Sequence, residues 1–235
     1  MTTKKTMGWL KFICLLAMLG MVNRSFAGNY NWDANGSEAG SGGTGTWDVV
    51  SALWTNAPNT WVSWPNSNPN ADTALFSGAP GGVVTIAPGQ TIYVNAMKIG
   101  TTSTVNYRFT GGDVNSVLAF SGTEPKVYVG VNNMTLNNGN APTFTNLTIN
   151  TGSGVTFLTS AGHFVFSGDS RFTGSGLVTI GITNVGGWFG STSYLQSTNN
   201  AGFSGGFAVN SLSALCTETL LSALAANSLG TGRTS

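Results

Sequence analysis

The sequence predicts an all-β chain built as a parallel β-helix, with a β-sandwich as the alternative. Three observations carry that expectation. From Val83 onward, short runs rich in Val, Ile, Thr, Phe and Tyr follow one another: "VVTI", "TIYV", "MKI", "YRF", "VLAF", "VYV", "MTL", "LTI", "VTFL", "HFVF" and "LVTI". Each has the composition of a strand. Gly-, Asn- and Pro-rich pieces such as "APGQ", "NTGSG" and "TGSG" separate most of them, and no helical pattern of about 10–15 residues intervenes to build βαβ units. Finally, Phe-Ser-Gly occurs four times, at Phe76, Phe120, Phe166 and Phe203, with offsets of 44, 46 and 37 residues. A recurring phrase points to a repeat architecture.

The phrase also separates the two all-β candidates. A sandwich sets its turns about 8–12 residues apart and has no reason to repeat a phrase. Stacked coils place equivalent residues above one another, about 4.8 Å apart. A step near 40 residues then corresponds to two coils. The runs are shorter than the roughly 9–11 residues that a strand of a membrane barrel needs.

Charged residues make up 7% of the chain, yet 41% is hydrophobic, with 13 Phe and 7 Trp. That is enough large apolar surface for a core. Polarity comes from hydroxyls and amides, which suit strands and turns better than helices.

Residues 1–27 read as a signal peptide. Lys4, Lys5 and Lys11 precede the apolar run Phe12 to Val22, and Ser25 and Ala27 take the −3 and −1 places of a cleavage site. The run is short for a transmembrane helix of about 20 residues, so no membrane span is expected in the mature chain. Cleavage after Ala27 leaves five basic against eight acidic residues, a net charge of −3. An acidic chain has no electrostatic footprint for nucleic acid and no basic amphipathic segment for an anionic membrane. Cys216 is then the remaining cysteine, so no internal disulfide forms. It reads as a small buried apolar residue.

Residues 28–78 carry Trp32, Trp47, Trp54, Trp61 and Trp64 around a glycine-serine loop. The seven-residue spacing of Trp47, Trp54 and Trp61 imitates a helical stripe, but Pro58, Pro65 and Pro69 break it. A solenoid needs its open end covered, and this region is placed to be an N-terminal cap. The competing reading makes the five indoles a glycan platform, since an aromatic face stacks on a pyranose ring. Residues 79–190 read as the coils.

The stretches "NWDANGSEAGSGGTGTWDVVSALW" and "ADTALFSGAPGGVVTIAPGQTIYVNAMKI" resemble the opening of bacterial proteins with autotransporter-associated β-strand repeats. Residues 191–235 resemble part of one such repeat: "NNAGFSGGFAVNS" and "TLLSALAANSLGTG" match its two ends, while Leu212 to Thr217 depart from it. Glu218 replaces the Gly usual before Thr-Leu. The resemblance implies a right-handed β-helix on the outside of a bacterial cell. Family members are far longer, and many end in an outer-membrane barrel, so the chain is expected to be a truncated product or a fragment.

Catalytic patterns are sparse. His163 is the single histidine, and no nucleophile-elbow motif accompanies it. Zinc needs four Cys or His ligands, and no calcium loop is present. No metal and no cofactor is expected, because Walker and Rossmann glycine loops are also missing. Glu124 and Asp169 are 45 residues apart, a spacing that would align two carboxylates on successive repeats for polysaccharide hydrolysis. The expected function is therefore non-enzymatic: an exported surface passenger, stalk or adhesin-like spacer, offered to an extracellular polysaccharide or cell-surface partner. A glycan-binding module and a polysaccharide-active enzyme are the alternatives.

Overall fold

Parallel strand pairing governs the molecule. The computed structural model describes residues 27–36, 41–78, 80–101, 106–131, 142–159, 164–182, 191–196, 200, 202–211 and 219–223. The signal segment up to residue 26, the "MTL" run, His163, Cys216 and most of 212–235 lie outside the described residues.

The chain opens with β1 (Asn29–Trp32), β2 (Gly45–Trp47), β3 (Trp54–Ala57) and β4 (Thr60–Val62). It then enters a cycle of three. The first round is β5 (Thr73–Phe76), β6 (Gly82–Ile86) and β7 (Thr91–Val94); the second is β8 (Ala96–Thr101), β9 (Tyr107–Gly111) and β10 (Val117–Phe120). The third is β11 (Lys126–Val131), β12 (Thr143–Thr145) and β13 (Thr148–Asn150); the fourth is β14 (Gly154–Thr159), β15 (Val165–Ser167) and β16 (Arg171–Thr173). After these come β17 (Leu177–Ile182), β18 (Ser191–Leu195), β19 (Phe207–Ser211) and β20 (Thr219–Ala223).

Each round sends one strand to each of three sheets. The first sheet runs β19-β17-β14-β11-β8-β5-β1-β3-β4, the second β2-β6-β9-β12-β15-β18-β20, and the third β16-β13-β10-β7. From β5 to β15 every strand pairs, in parallel, with the strand three places along. The register follows one position down the first sheet through Phe76, Ile99, Val129, Thr159, Ile182 and Ser211. One round therefore takes 23 to 30 residues.

This register corrects the reading of Phe-Ser-Gly. Phe76 ends a strand of the first sheet, Phe120 one of the third, and Phe166 lies in the second. Phe203 makes an isolated bridge with Gly174. In its first three occurrences the phrase marks the end of a strand, not a fixed place in the round. Those phenylalanines are buried because each is the last inward residue before a turn. Its glycines are required locally: a side chain at Gly78 would run into the backbone of Ser41, while Gly122 and Gly168 hold φ of 114° and 61°, where L-residues are strained.

The alternation of buried and exposed residues faces one side of each strand inward, as in β14, where Val155, Phe157 and Thr159 are buried. Val84, Phe109, Phe144, Phe166 and Leu195 stand in register down the second sheet and are fully buried. Phe109 stacks on Phe144 at 5.1 Å and Phe144 on Phe166 at 5.4 Å. Ile92, Leu118, Ile149 and Phe172 form the matching row of the third sheet. Burying each such side chain contributes about 1.5–3 kcal/mol.

Buried hydroxyls link successive rounds where the chain turns from the second sheet to the third. Ser116 Oγ donates to Ala87 O at 3.1 Å, and Ser170 Oγ donates to Phe144 O at 2.9 Å. Each satisfies a carbonyl of the preceding round that water does not reach.

Tyr107 adds a titratable group to the interior. Its hydroxyl donates to Gly78 O at 3.0 Å, and burial pushes its pKa up to about 12. The unfolded phenol ionises near 10, so between these values the unfolded chain binds fewer protons than the folded one. Stability should fall as pH rises from about 10 to 12. Absorbance titration at 295 nm should show this phenolate appearing only with unfolding, and Tyr107→Phe should remove that part of the alkaline transition.

Candidate binding surfaces

The tryptophan-rich end divides into a buried cluster and one half-exposed indole. Trp32, Trp47, Trp54 and Trp64 are at most 2% exposed. Trp54 lies 5.1 Å from Trp32, 4.9 Å from Trp47 and 4.8 Å from Trp64 between ring centroids. Phe76 closes the group at 5.6 Å from both Trp47 and Trp54. These four indoles present no open face to a sugar ring. Trp61, on β4, is half-buried, and its Nε1 donates to Asp33 Oδ2 at 2.8 Å. Asp33 itself is buried, and its Oδ1 has no hydrogen-bond partner.

The same region finishes the ends of two sheets. β3 pairs antiparallel to β1, and β4 pairs antiparallel to β3, so parallel stacking in the first sheet stops there. The third sheet starts at β7, whose outer backbone groups are met by side chains. Trp64 Nε1 and Asn70 Nδ2 both donate to Tyr93 O, at 2.9 and 2.8 Å. Asn66 donates to Thr91 O and accepts from Tyr93 N. Asn70 is 1% exposed and also accepts from Asp72 N at 2.6 Å. An edge that would otherwise template pairing with another chain is thereby occupied.

A second surface lies on the outer face of the first sheet. A groove of about 400 Å³ is lined by Glu124, Lys126, Ser153, Thr156, Leu177 and Thr179, among others. Lys126, Thr156 and Thr179 are in register across β11, β14 and β17. Lys126 Nζ and Glu124 Oε2 are 3.0 Å apart, both well exposed, a geometry that contributes little to stability. Leu177 is an exposed large apolar residue. The groove thus offers hydroxyls, an ion pair and an apolar contact on a rigid sheet.

Glu124 and Asp169 are not brought to one rung. Glu124 precedes β11 of the first sheet, whereas Asp169 precedes β16 of the third. Asp169 N is held by Asn146 Oδ1 at 2.9 Å, a turn contact. Asp113 is also a turn residue: the Gly89 N–H, together with Ser116 and Asn115, holds its carboxyl below the usual range against slight desolvation. Among the described residues no group of three or more His, Cys, Asp or Glu is placed to hold a metal ion.

Over 165 residues, 69% of this chain, the sequence is 33% identical to the adhesin BmaC autotransporter of Brucella suis biovar 1 (strain 1330). This chain is similar to an autotransporter adhesin. The aligned stretch corresponds to 4% of that adhesin's length, so the chain spans only a small part of that relative. No family model and no solved structure matches the chain. Among the described residues, no helix is long and apolar enough to cross a membrane.

Several polar residues here escape sequence reading. Asn70, Asp72, Ser116 and Ser170 look like ordinary turn residues in the sequence, yet all are buried and bonded. Their shared signal is position, one to three residues before a strand. The groove had a weaker signal in the outward alternation of "KVYV" and "GVTFLT".

Proposed function

We propose that this chain is part of the exported passenger of an autotransporter-related adhesin, and that its three sheets are the faces of a right-handed parallel β-helix serving as a stiff surface spacer. The single observation that carries the reading is the unbroken parallel register of the first sheet from β1 to β19. Strands that recur every 23 to 30 residues in three sheets suit an elongated, quasi-one-dimensional stack. The similarity to an adhesin supports a surface role without catalysis. Residues 1–27 act as the leader, cut after Ala27, and residues 28–78 as the cap that ends the stack. The groove beside Glu124 and Lys126 is the face offered to an extracellular polysaccharide or cell-surface partner.

The test uses a tag inserted at the exposed turn Asp113–Asn115. On intact cells expressing the whole protein, antibody should bind the tag and added protease should remove it. A tag reached only after lysis would end the surface reading. Beads coated with the chain should bind a glycan array or host cells less well after Lys126→Glu; unchanged binding would remove the groove from the account.

A further inference from the structure

We propose that Asp72 is the receptor for the α-ammonium group that leader removal creates at Gly28, so that maturation completes the charge pairing of the first round of the fold. The inference rests on the export reading, in which the chain is cut after Ala27. Ala27 is exposed, and Gly28 immediately precedes β1. Gly28 O accepts from Thr73 N at 2.8 Å, and the next residue, Asn29, is in register with Thr73.

Gly28 N donates to Asp72 Oδ1 at 2.7 Å. Asp72 is 3% exposed and firmly held. Its N–H is bonded to Asn70 Oδ1, and its carbonyl accepts from Asn95 N and Ala96 N. Among the described residues no lysine or arginine pairs with it. The titratable group facing it is Tyr30, whose phenol is raised by burial and by the Asp72 charge and so stays neutral near pH 7. Burial also raises Asp72, while the Gly28 N–H pulls it down. In the uncut chain a neutral amide therefore faces a desolvated carboxylate.

Hydrolysis changes the donor without moving it. Water adds across the Ala27–Gly28 peptide bond: hydroxyl goes to the Ala27 carbonyl carbon and hydrogen to the Gly28 nitrogen. The released amine takes a further proton below its ordinary pKa of about 8. The same nitrogen then carries a full positive charge 2.7 Å from Asp72, and charge-assisted hydrogen bonds are roughly twice as strong as neutral ones. Glycine is required at this new end. A side chain on Gly28 would meet the Tyr30 ring 2.6 Å from Cε2, and Trp64 packs edge-on against that ring at 5.5 Å.

Four chains test the pairing. One begins at Gly28 with a free amine, released from a fusion by a protease that leaves no residue behind. The second is the same chain Nα-acetylated. The other two repeat the pair with Asp72→Asn. At pH 7 the free amine should melt about 5 °C above the acetylated chain, and Asp72→Asn should abolish the gap. The folded α-amino pKa is raised by its partner, so the gap should be full below the ordinary amine value of about 8 while Asp72 stays ionised, vanish as pH rises through the folded amine value, and shrink again in acid as Asp72 takes a proton. No gap, or the same gap with Asp72→Asn, overturns the pairing. If Asp72→Asn fails to fold, the α-amino pKa of ¹⁵N-labelled Gly28 decides: a value above 8 supports the pairing and a value at or below 8 overturns it. N-terminal sequencing of the exported chain separates the two claims. A start elsewhere removes the cut after Ala27 and this role with it, whereas a Gly28 start without a melting gap removes the pairing alone.

Discussion

Phe157→Ala should lower stability by about 3–5 kcal/mol. Phe157 comes from the first sheet and meets rings from the other two. Phe166 and Phe144 of the second sheet lie 5.2 and 5.9 Å away; Phe120 and Phe172 of the third lie 5.9 and 6.3 Å away. Phe164 adds a contact at 5.3 Å. Removing this ring opens a cavity where three layers converge, and close-packed neighbours refill it only in part. Thermal melting should show a drop of about 10 °C for a chain of this length. Leu158→Ala, one residue on and facing out, should cost less than about 1 kcal/mol. Equal effects at the two positions would mean that the rings do not share an interior.

Trp54→Ala should be as costly, again about 3–5 kcal/mol, with a different consequence. Trp54 touches Trp32, Trp47, Trp64 and Phe76 and opens β3, the strand that ends parallel stacking in the first sheet. Its loss loosens the β3–β4 pair and uncovers β1. The variant should therefore self-associate, because an uncovered edge pairs with other chains. Light scattering during mild heating should rise earlier than for the parent. Trp61→Ala, at a half-buried site, takes the Nε1 donor from the buried Asp33 carboxylate and should cost about 1–3 kcal/mol while leaving scattering unchanged. A Trp54→Ala chain that melts lower yet stays monomeric would separate core packing from edge protection.

The strand-rich texture was legible because Val, Ile and Thr alternation reports half-buried strands directly. β6, β7, β9, β10, β14 and β17 all fall on runs visible in the sequence. β12 and β16 do not: "TFT" and "RFT" each hold one large apolar residue between polar ones, too short for a pattern. The length of a round was misjudged for a related reason. Phe-Ser-Gly reflects what any strand end needs, a last inward ring followed by small residues, so its spacing of 44, 46 and 37 residues mixes three sheets. Burial of Trp32, Trp47 and Trp54 follows from packing against Phe76, 22 to 44 residues further along the chain, which no local window contains. Asp72 was invisible as a site because its partner is a backbone nitrogen 44 residues earlier.

The stacked register is tested most directly by distances along one outward row of the first sheet. Asn31, Leu75, Lys98, Tyr128, Leu158, Gly181 and Asn210 are consecutive register partners. Spin labels placed in pairs on this row should separate by about 4.8 Å per strand, giving about 19 Å for Lys98–Asn210 and about 29 Å for Asn31–Asn210. Distances that fail to grow in sequence order, with Asn210 closer to Asn31 than to Lys98, would contradict the stack.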